Sequence, residues 1–408
     1  MQSDNVLLIT LALLLVLAPL VRSLLVRNGI PALVGYIALG FLVSILDHQW
    51  LFVNTVFENT FSVLAQLGIV ALLFRVGLKS HTRALLAKLP DASLIWIGDV
   101  LTNLAIGYLV SFYVLHLSLE TSLIIATAFS ATSVAVSVAV WDELRLMNTS
   151  RAQLLVDVAE LDDLSGVLLL AILLAVIPVL LGEDGNLLSL IGTTTFTVLL
   201  KLALFVTGCY LFAHFLEAGI TRFSREQEGS ATAVTITILG IGILIAAVSG
   251  YLGFSLAIGA LFAGLAFSRD PQAVHADTRF GYFYEFFTPF FFIQIGMQID
   301  PGTFFTSITL ALLLLVAAIV GKVVGVGGAA LVKLPKTDAM LLGVSMVPRA
   351  EIALVVIYQC QQVGGNLVPD KIYTAMVWVS VMTSIVAPLV VRSLLTRQTG
   401  KKKRNRTT

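Results

Sequence analysis

The sequence predicts an all-α polytopic membrane protein of about 13 transmembrane helices, arranged as two inverted six-helix repeats. Of its 408 residues, 58% are apolar and only 12% are charged, a composition that few soluble folds tolerate. Apolar stretches of about 20 residues, enough to cross a bilayer as a helix, recur from one end of the chain to the other. The two cysteines, Cys209 and Cys360, lie inside such stretches, so no disulfide scaffold is expected.

Hydropathy, with glycine, proline and charge clusters as boundaries, divides the chain into the individual helices. The predicted helices cover residues 5–26, 30–46, 60–79, 90–116, 121–141, 152–180, 188–217, 230–247, 251–268, 280–299, 303–332, 338–361 and 370–395. The first of them lacks the basic flank and cleavage site of a signal peptide, so it is expected to remain as a span.

The basic residues between these helices predict the orientation in the membrane. They follow helices one, three, five, seven, nine and eleven, and the last helix leads into a basic tail; the opposite connections are acidic, with Lys371 as their one base. The positive-inside rule therefore places the N-terminus outside and the C-terminus in the cytoplasm of a multi-pass cell-membrane protein. An odd number of helices with one central helix favours two six-helix halves of opposite orientation, as in many secondary transporters.

The predicted helices also contain ionisable residues, which are costly in hydrocarbon and mark functional sites. Four bases remain after those assigned to the connections are set aside: Arg75, Lys201, Lys322 and Arg349. Arg75 is close enough to a helix end to reach the interface, and Lys201 has no evident partner.

Two adjacent acids, Asp162 and Asp163, stand near the middle of helix six. They are about ten residues, or roughly 15 Å, from its cytoplasmic end. Adjacent helical residues point about 100° apart, so the two carboxylates face different neighbours, one able to bind a cation and one to meet a base. Lys322 in helix eleven lies at the same depth and is the expected ion-pair partner of one of them.

Two helices are expected to be interrupted at that depth. Pro348 lacks an amide hydrogen and disfavours helix at the preceding residue, and Arg349 and Glu351 beside it can satisfy freed backbone groups and helix dipoles. Helix five carries Thr132 and Ser133 in a hydroxyl-rich run, whose oxygens suit a hard monovalent cation. The two segments occupy corresponding positions in the proposed halves.

Short motifs through nearly the whole chain then resemble a known family. The chain resembles the bacterial cation/proton antiporters of the NapA type, within the wider monovalent cation:proton antiporter-2 group. The motifs that carry the resemblance are Pro31-Ala32-Leu33-Val34-Gly35, Leu72-Leu73-Phe74-Arg75-Val76-Gly77-Leu78, Ala131-Thr132-Ser133-Val134, Leu161-Asp162-Asp163, Ile258-Gly259-Ala260-Leu261-Phe262-Ala263-Gly264, Pro289-Phe290-Phe291-Phe292, Gly321-Lys322-Val323 and Pro348-Arg349-Ala350-Glu351.

The resemblance implies the NhaA/NapA-like antiporter fold with two crossed, discontinuous helices. It implies dimerisation-domain helices in 1–89 and 219–300, core transport-domain helices in 90–181 and 301–395, a linking helix in 182–218 and a basic cytoplasmic tail in 396–408. A homodimer in the bacterial inner membrane and an elevator motion of the core domain are expected with it.

The resemblance also implies the roles of site residues. Asp163 matches the main cation- and proton-binding carboxylate, and Asp162 matches the acid that pairs with Lys322; both would ligate the transported sodium ion. Thr132 and Ser133 match the crossover segment beside the ion, and Pro348, Arg349 and Glu351 are structural at the helix break. An Asp-Asp pair resembles the electrogenic members, whereas the potassium-efflux branch has Gln-Asp there.

The function that follows is exchange of a monovalent cation for protons, by a transporter and not an enzyme. Sodium is the expected ion, with lithium or potassium as alternatives, and no resident cofactor or nucleic acid is expected. A cation-coupled organic solute symporter and a K⁺/H⁺ exchanger remain as alternatives. A channel would need a filter motif that is not seen, and an intramembrane aspartyl protease would need acids on separate helices.

Overall fold

The computed structural model describes residues 2–50, 53–79, 82–147, 149–180, 187–228, 231–252, 254–268, 277–364 and 366–404. Within these ranges the chain consists of helices and short connections, without a β-strand. The all-α class predicted from the sequence is therefore confirmed for the described residues.

The first half of the chain contains long helices and two π-helical turns. Its helices are α1 (Gln2–Arg27), α2 (Ala32–Trp50), α3 (Thr55–Lys79), α4 (Thr82–Leu109), α5 (Leu119–Ser130), α6 (Val134–Glu143), α7 (Ser150–Leu180), α8 (Leu187–Leu211) and α9 (Glu217–Glu228). One π-helical turn, Val110–Val114, extends α4, and the other, Phe212–Leu216, joins α8 to α9. Helical structure thus continues past residue 217, where the sequence predicts the end of helix seven.

The second half contains shorter helices as well. They are α10 (Ala231–Tyr251), α11 (Leu256–Phe267), α12 (Asp277–Met297), α13 (Pro301–Phe304), α14 (Ile308–Ala330), α15 (Lys336–Ser345), α16 (Glu351–Gln362) and α17 (Asp370–Arg404). The boundary between α10 and α11 lies about four residues later than the sequence predicts. The side chain of Ser255 accepts a hydrogen bond from the Ile258 amide, and this N-cap fixes the start of α11.

Eight described segments are long and apolar enough to cross a bilayer. They are Leu7–Arg27, Ala32–Trp50, Thr55–Leu78, Ala92–Val114, Leu200–Phe223, Val234–Tyr251, Ile308–Ala330 and Asp370–Arg397. The shorter helices α5 and α11 are also apolar. The chain is accordingly a multi-pass membrane protein, whereas the count of about 13 spans and the inverted repeat stay predictions.

Two helices are interrupted where the sequence predicts breaks. Residues 131–133 separate α5 from α6, and residues 346–350 separate α15 from α16. Ala131 is extended, with φ −73° and ψ 146°, and Ala350 is also non-helical, with φ −131° and ψ −101°. Both interruptions expose backbone groups at membrane depth, so each needs partners supplied by the protein.

Contacts divide the chain into two compact units, of which the first comprises Met1–Pro19, Tyr36–Ala84 and Leu168–Gln298. In it α3 packs against α11 and α12, and α10 packs against α11. Gly77 of α3 and Gly264 of α11 face each other so closely that a Cβ on Gly77 would lie 3.0 Å from the Gly264 Cα. Such close backbone approach is the usual way in which helices associate inside a bilayer.

The second unit comprises Leu20–Gly35, Leu85–Val167 and Ile299–Thr408. In it α14 packs against α15 and α17, and α5 packs against α16. Trp141 of α6 is buried among apolar side chains of this unit, and its Nε1 donates a hydrogen bond of 3.2 Å to Ser345 Oγ at the end of α15. The assignment of core and dimerisation roles to parts of the chain stays a prediction.

The glycine contact in the first unit gives a stability prediction. Gly77→Ala should lower the free energy of unfolding by about 1–3 kcal/mol, because the new methyl group would overlap the Leu261 carbonyl oxygen. Gly240→Ala in α10 is the matched control, since a Cβ there meets no atom within 4 Å. Thermal unfolding in detergent measures both variants, and equal melting temperatures would contradict the contact.

Candidate functional site

The adjacent acids of α7 lie in different surroundings. Asp162 is fully buried, whereas Asp163 is partly exposed, as expected for neighbours that point about 100° apart on a helix. Asp162 faces the interrupted part of the second unit, on which this part of α7 packs. A Cβ on Gly166, one turn after the pair, would lie 3.2 Å from Ala131 Cβ and 3.2 Å from Ile352 Cγ2.

The Asp162 carboxylate is held through one of its two oxygens. Its Oδ2 accepts a hydrogen bond from Thr132 Oγ1 and forms an ion pair with Lys322 Nζ at 3.0 Å. Its Oδ1 is buried and accepts no hydrogen bond from the described residues. A buried carboxylate oxygen without a donor is expensive, so this atom is available to a proton or a cation.

Lys322 lies at the centre of the polar cluster. Its Nζ donates to Asp99 Oδ2 at 2.7 Å, to the Ser130 carbonyl oxygen at 2.8 Å and to Asp162 Oδ2 at 3.0 Å. An ammonium group has three donors, so the full capacity of this side chain is used. Helix depth left open which of the two aspartates of α7 pairs with Lys322, whereas the resemblance implied Asp162; the structure pairs the lysine with Asp162.

Asp99 of α4 is the residue that sequence reasoning missed. It is fully buried and forms the shorter of the two Lys322 ion pairs. Asn103, one turn later and also fully buried, donates from Nδ2 to Asp99 Oδ1 at 2.6 Å. The depth argument applied to helix six would have found Asp99, since it lies about nine residues, or roughly 14 Å, into the predicted fourth helix.

Arg349 holds the break between α15 and α16 to its neighbours. Its NH2 donates to Asn103 Oδ1 at 2.6 Å and to the Ala318 carbonyl oxygen at 3.2 Å, and its NH1 donates to the Ala131 carbonyl oxygen at 3.3 Å. The guanidinium carbon lies 4.7 Å from the centre of the Phe129 ring, a cation–π contact. The side chain is fully buried, so these contacts replace its hydration.

The two interruptions contact each other through main chain and side chains. The Ser133 amide donates to the Pro348 carbonyl oxygen at 2.8 Å, and Ser133 Oγ donates to Glu351 Oε2 at 2.7 Å. Pro348 has no amide hydrogen to satisfy, so only its carbonyl takes part.

The charges around the interruptions complement the helix ends. Lys322 and Arg349 bind the carbonyls of Ser130 and Ala131, where α5 ends and partial negative charge accumulates. Glu351 stands in the first turn of α16, where partial positive charge accumulates.

Asp163 is the acid that remains without a fixed partner. Its carboxylate accepts no hydrogen bond from the part of the chain that the structure describes. The acids Asp162, Glu351 and Glu160 and the base Lys322 all lie close enough to act on it electrostatically. A partly exposed carboxylate among other acids favours an arriving cation or proton.

The structure thus gathers in one unit all the residues that the sequence singled out at this depth: Thr132, Ser133, Asp162, Asp163, Lys322, Pro348, Arg349 and Glu351. Their roles in binding an ion stay predictions. The two other bases lie in the first unit, where the Arg75 guanidinium stands 4.3 Å from the centre of the Tyr284 ring and Lys201 is exposed on α8.

Comparison with known proteins places this arrangement among transporters. The family described as sodium/hydrogen exchanger, transmembrane, matches residues 11–397. A Na⁺/H⁺ antiporter of Enterococcus hirae is 26% identical over 374 residues, which cover 90% of this chain and 92% of the relative. The Na⁺/H⁺-K⁺ antiporter GerN of Bacillus cereus is 26% identical over 382 residues, which cover 93% of each chain.

A solved structure shares the fold. The sodium proton antiporter MjNhaP1 from Methanocaldococcus jannaschii superposes with a TM-score of 0.64 over 98% of each chain. Only 16% of the aligned residues are identical, so the likeness concerns the fold.

The Arg349 contacts give a testable prediction for the site. Arg349→Lys keeps the charge but loses the planar group that reaches Asn103 and two carbonyls, so unfolding should become easier by about 3 kcal/mol. Arg397→Lys, on an exposed side chain of α17, is the control and should change nothing. Melting temperatures in detergent compare the two; an equal effect of both would show that the Arg349 contacts are unimportant.

Proposed function

This chain belongs to the sodium/hydrogen exchanger family, and from that premise we propose that it exchanges a monovalent cation, sodium in the first place, for protons across a membrane. The observation that supports this most directly is the difference between the two acids of α7. Asp162 is committed to Lys322 and Thr132, while Asp163 is partly exposed and has no hydrogen-bond donor among the described residues.

The proposed exchange is a competition for Asp163. When the carboxylate is ionised it can bind a cation, and when it is protonated it cannot. In either case the negative charge is neutralised, which lowers the cost of carrying the site through an apolar barrier. The empty, ionised site would not cross the apolar barrier. Because only the cation-bound or protonated site crosses, the movement of cations is coupled to the movement of protons. Alternating access is proposed to follow an elevator motion of the transport domain.

The proposed cation ligands are oxygens around the interruptions. Asp163 supplies the main carboxylate, and the free Oδ1 of Asp162 supplies a second one. Thr132 and Ser133 contribute hydroxyl oxygens beside them. Oxygen ligands of this kind suit hard monovalent cations, and non-helical backbone at membrane depth is tolerated where it lines such a site.

Lys322 would make the proposed exchange electrogenic. Cation binding at the acids would release Asp162 from the ion pair, and Lys322 would then give up a second proton. Two protons would be exchanged for one cation, and the exchange would move net charge.

Potassium is the second candidate ion. The Bacillus cereus relative is named a Na⁺/H⁺-K⁺ antiporter and matches 93% of this chain. We therefore include potassium beside sodium and lithium in every assay. A homodimer in the bacterial inner membrane, with the N-terminus outside, completes the proposal.

Transport in sealed vesicles tests the proposed role of Asp163. The unaltered protein should move protons when sodium, lithium or potassium is added outside, and Asp163→Asn should abolish this movement, because an amide can neither ionise nor exchange a proton. Asp142→Asn, on an exposed side chain at the end of α6, is the control and should retain exchange. No proton movement with any cation, despite folded protein, would favour a solute symporter instead.

The charge moved per cation tests the role of Lys322. Lys322→Gln should still exchange ions but move less net charge, since the second proton site is gone. Current on solid-supported membranes, divided by the sodium flux, measures this ratio. An unchanged ratio would rule out proton release by Lys322.

A further inference from the structure

We infer that Asp99 of α4 is a positioning residue for the exchange. It stays paired with Lys322 of α14 while the lysine separates from Asp162 and returns. The lysine therefore never becomes an unpaired buried cation. This inference rests on the proposed function, because the separation is a step of that cycle. Asp99 would not touch the transported cation. It would act through Lys322, by pairing with the charged lysine when it separates from Asp162 and before its proton leaves.

The distances indicate that Asp99 and Asp162 have different roles toward Lys322. Lys322 Nζ is 2.7 Å from Asp99 Oδ2 and 3.0 Å from Asp162 Oδ2. Asp99 Oδ1 is held separately by Asn103 at 2.6 Å, so both oxygens of Asp99 have donors. Asp162 leaves one oxygen without a donor. The pair with Asp99 is therefore the fixed one, and the pair with Asp162 is the one that can open.

The charges explain why two acids are needed. If Lys322 had Asp162 alone, their separation would leave two opposite charges unpaired in a site where both residues are fully buried. With Asp99 present, the lysine keeps a counter-charge at hydrogen-bond distance. Only Asp162 is then left unpaired, and an arriving cation neutralises it. The additional acid thus lowers the cost of the step that admits the cation.

The surroundings of Asp99 keep it in place. The backbone carbonyl of Asp99 also accepts from Asn103 Nδ2 at 2.9 Å, and Asn103 Oδ1 accepts from Arg349 at 2.6 Å. Two glycines of α14 leave room for this contact. A Cβ on Gly321 would lie 2.5 Å from Asn103 Oδ1, and one on Gly325 would lie 3.2 Å from Asp99 Cα. The ion pair is therefore built into the packing of α4 against α14.

A double-mutant cycle separates positioning from simple structural support. The variants are Asp99→Asn, Lys322→Gln and the two combined, with Ser111→Ala as control, because Ser111 is a fully buried polar residue in the extension of α4. The sodium concentration for half-maximal effect is measured in two ways, by transport in vesicles and by sodium-dependent thermal stabilisation of the purified protein.

Asp99→Asn should raise this sodium concentration about tenfold or more, because cation binding would separate Lys322 from Asp162 while the lysine is still charged and has no other acid to pair with. In the Lys322→Gln background the same change should have little effect, since no lysine remains to be held. Equal effects in both backgrounds, or an unchanged sodium concentration in Asp99→Asn, would overturn the inference. If the unaltered protein showed no exchange, the proposed function would be contradicted instead. The effect of Asp99 on sodium binding would still be measured by the thermal stabilisation assay.

Stability provides the second arm of the cycle. Lys322→Gln leaves Asp99 and Asp162 as buried acids without their base, so it should melt at a lower temperature than the combined variant, in which one of the acids is gone. Asp99→Glu should restore part of the sodium affinity that Asp99→Asn loses. A combined variant no more stable than Lys322→Gln would show that the Asp99 pair is not formed.

Discussion

Neutralisation of buried charge is the constraint on which the second unit depends. Lys322 and Arg349 are both fully buried, and each is surrounded by acids, carbonyls or an amide oxygen from several helices. Because an unpaired charge in such surroundings is far more costly than any single apolar contact is favourable, the helices must arrange themselves to supply these partners. The break after α5 serves this need, since it offers the carbonyl groups of Ser130 and Ala131, which a continuing helix would have bonded internally.

Close packing makes that arrangement possible. Glycines of α14 allow α4 to approach until Asp99 reaches the lysine, and Gly166 allows α7 to approach the interruptions until Asp162 meets Thr132. There is little hydrophobic driving force between helices in lipid, so such contacts gain their stability from dispersion and polar bonds. The glycines therefore set how closely the helices approach, and this spacing brings the charged side chains to ion-pair distance.

Much of this site could be predicted from the sequence, for physical reasons that differ among its residues. Pro348 predicts a helix break because its ring is incompatible with a regular helix. The adjacent acids of α7 predict a functional site because burying two carboxylates at that depth is costly. Helix geometry alone narrowed the partner of Lys322 to Asp162 or Asp163, since the choice between them depends on the rotation of one helix; the resemblance to the antiporter family implied Asp162. Asp99 belongs to none of the motifs and has no charged residue next to it, so only its depth in the predicted fourth helix could have indicated it.

The hydrogen bond between the Ser133 amide and the Pro348 carbonyl has a consequence for how such a protein can diversify. It joins the two interruptions through main-chain atoms, so it does not depend on which side chains stand beside it. Hydroxyl groups at the neighbouring positions can be exchanged for other small side chains while the main-chain contact between the two interruptions is kept. Under the proposed function, the ion preference of the site can thus change through mutation while this main-chain contact is kept.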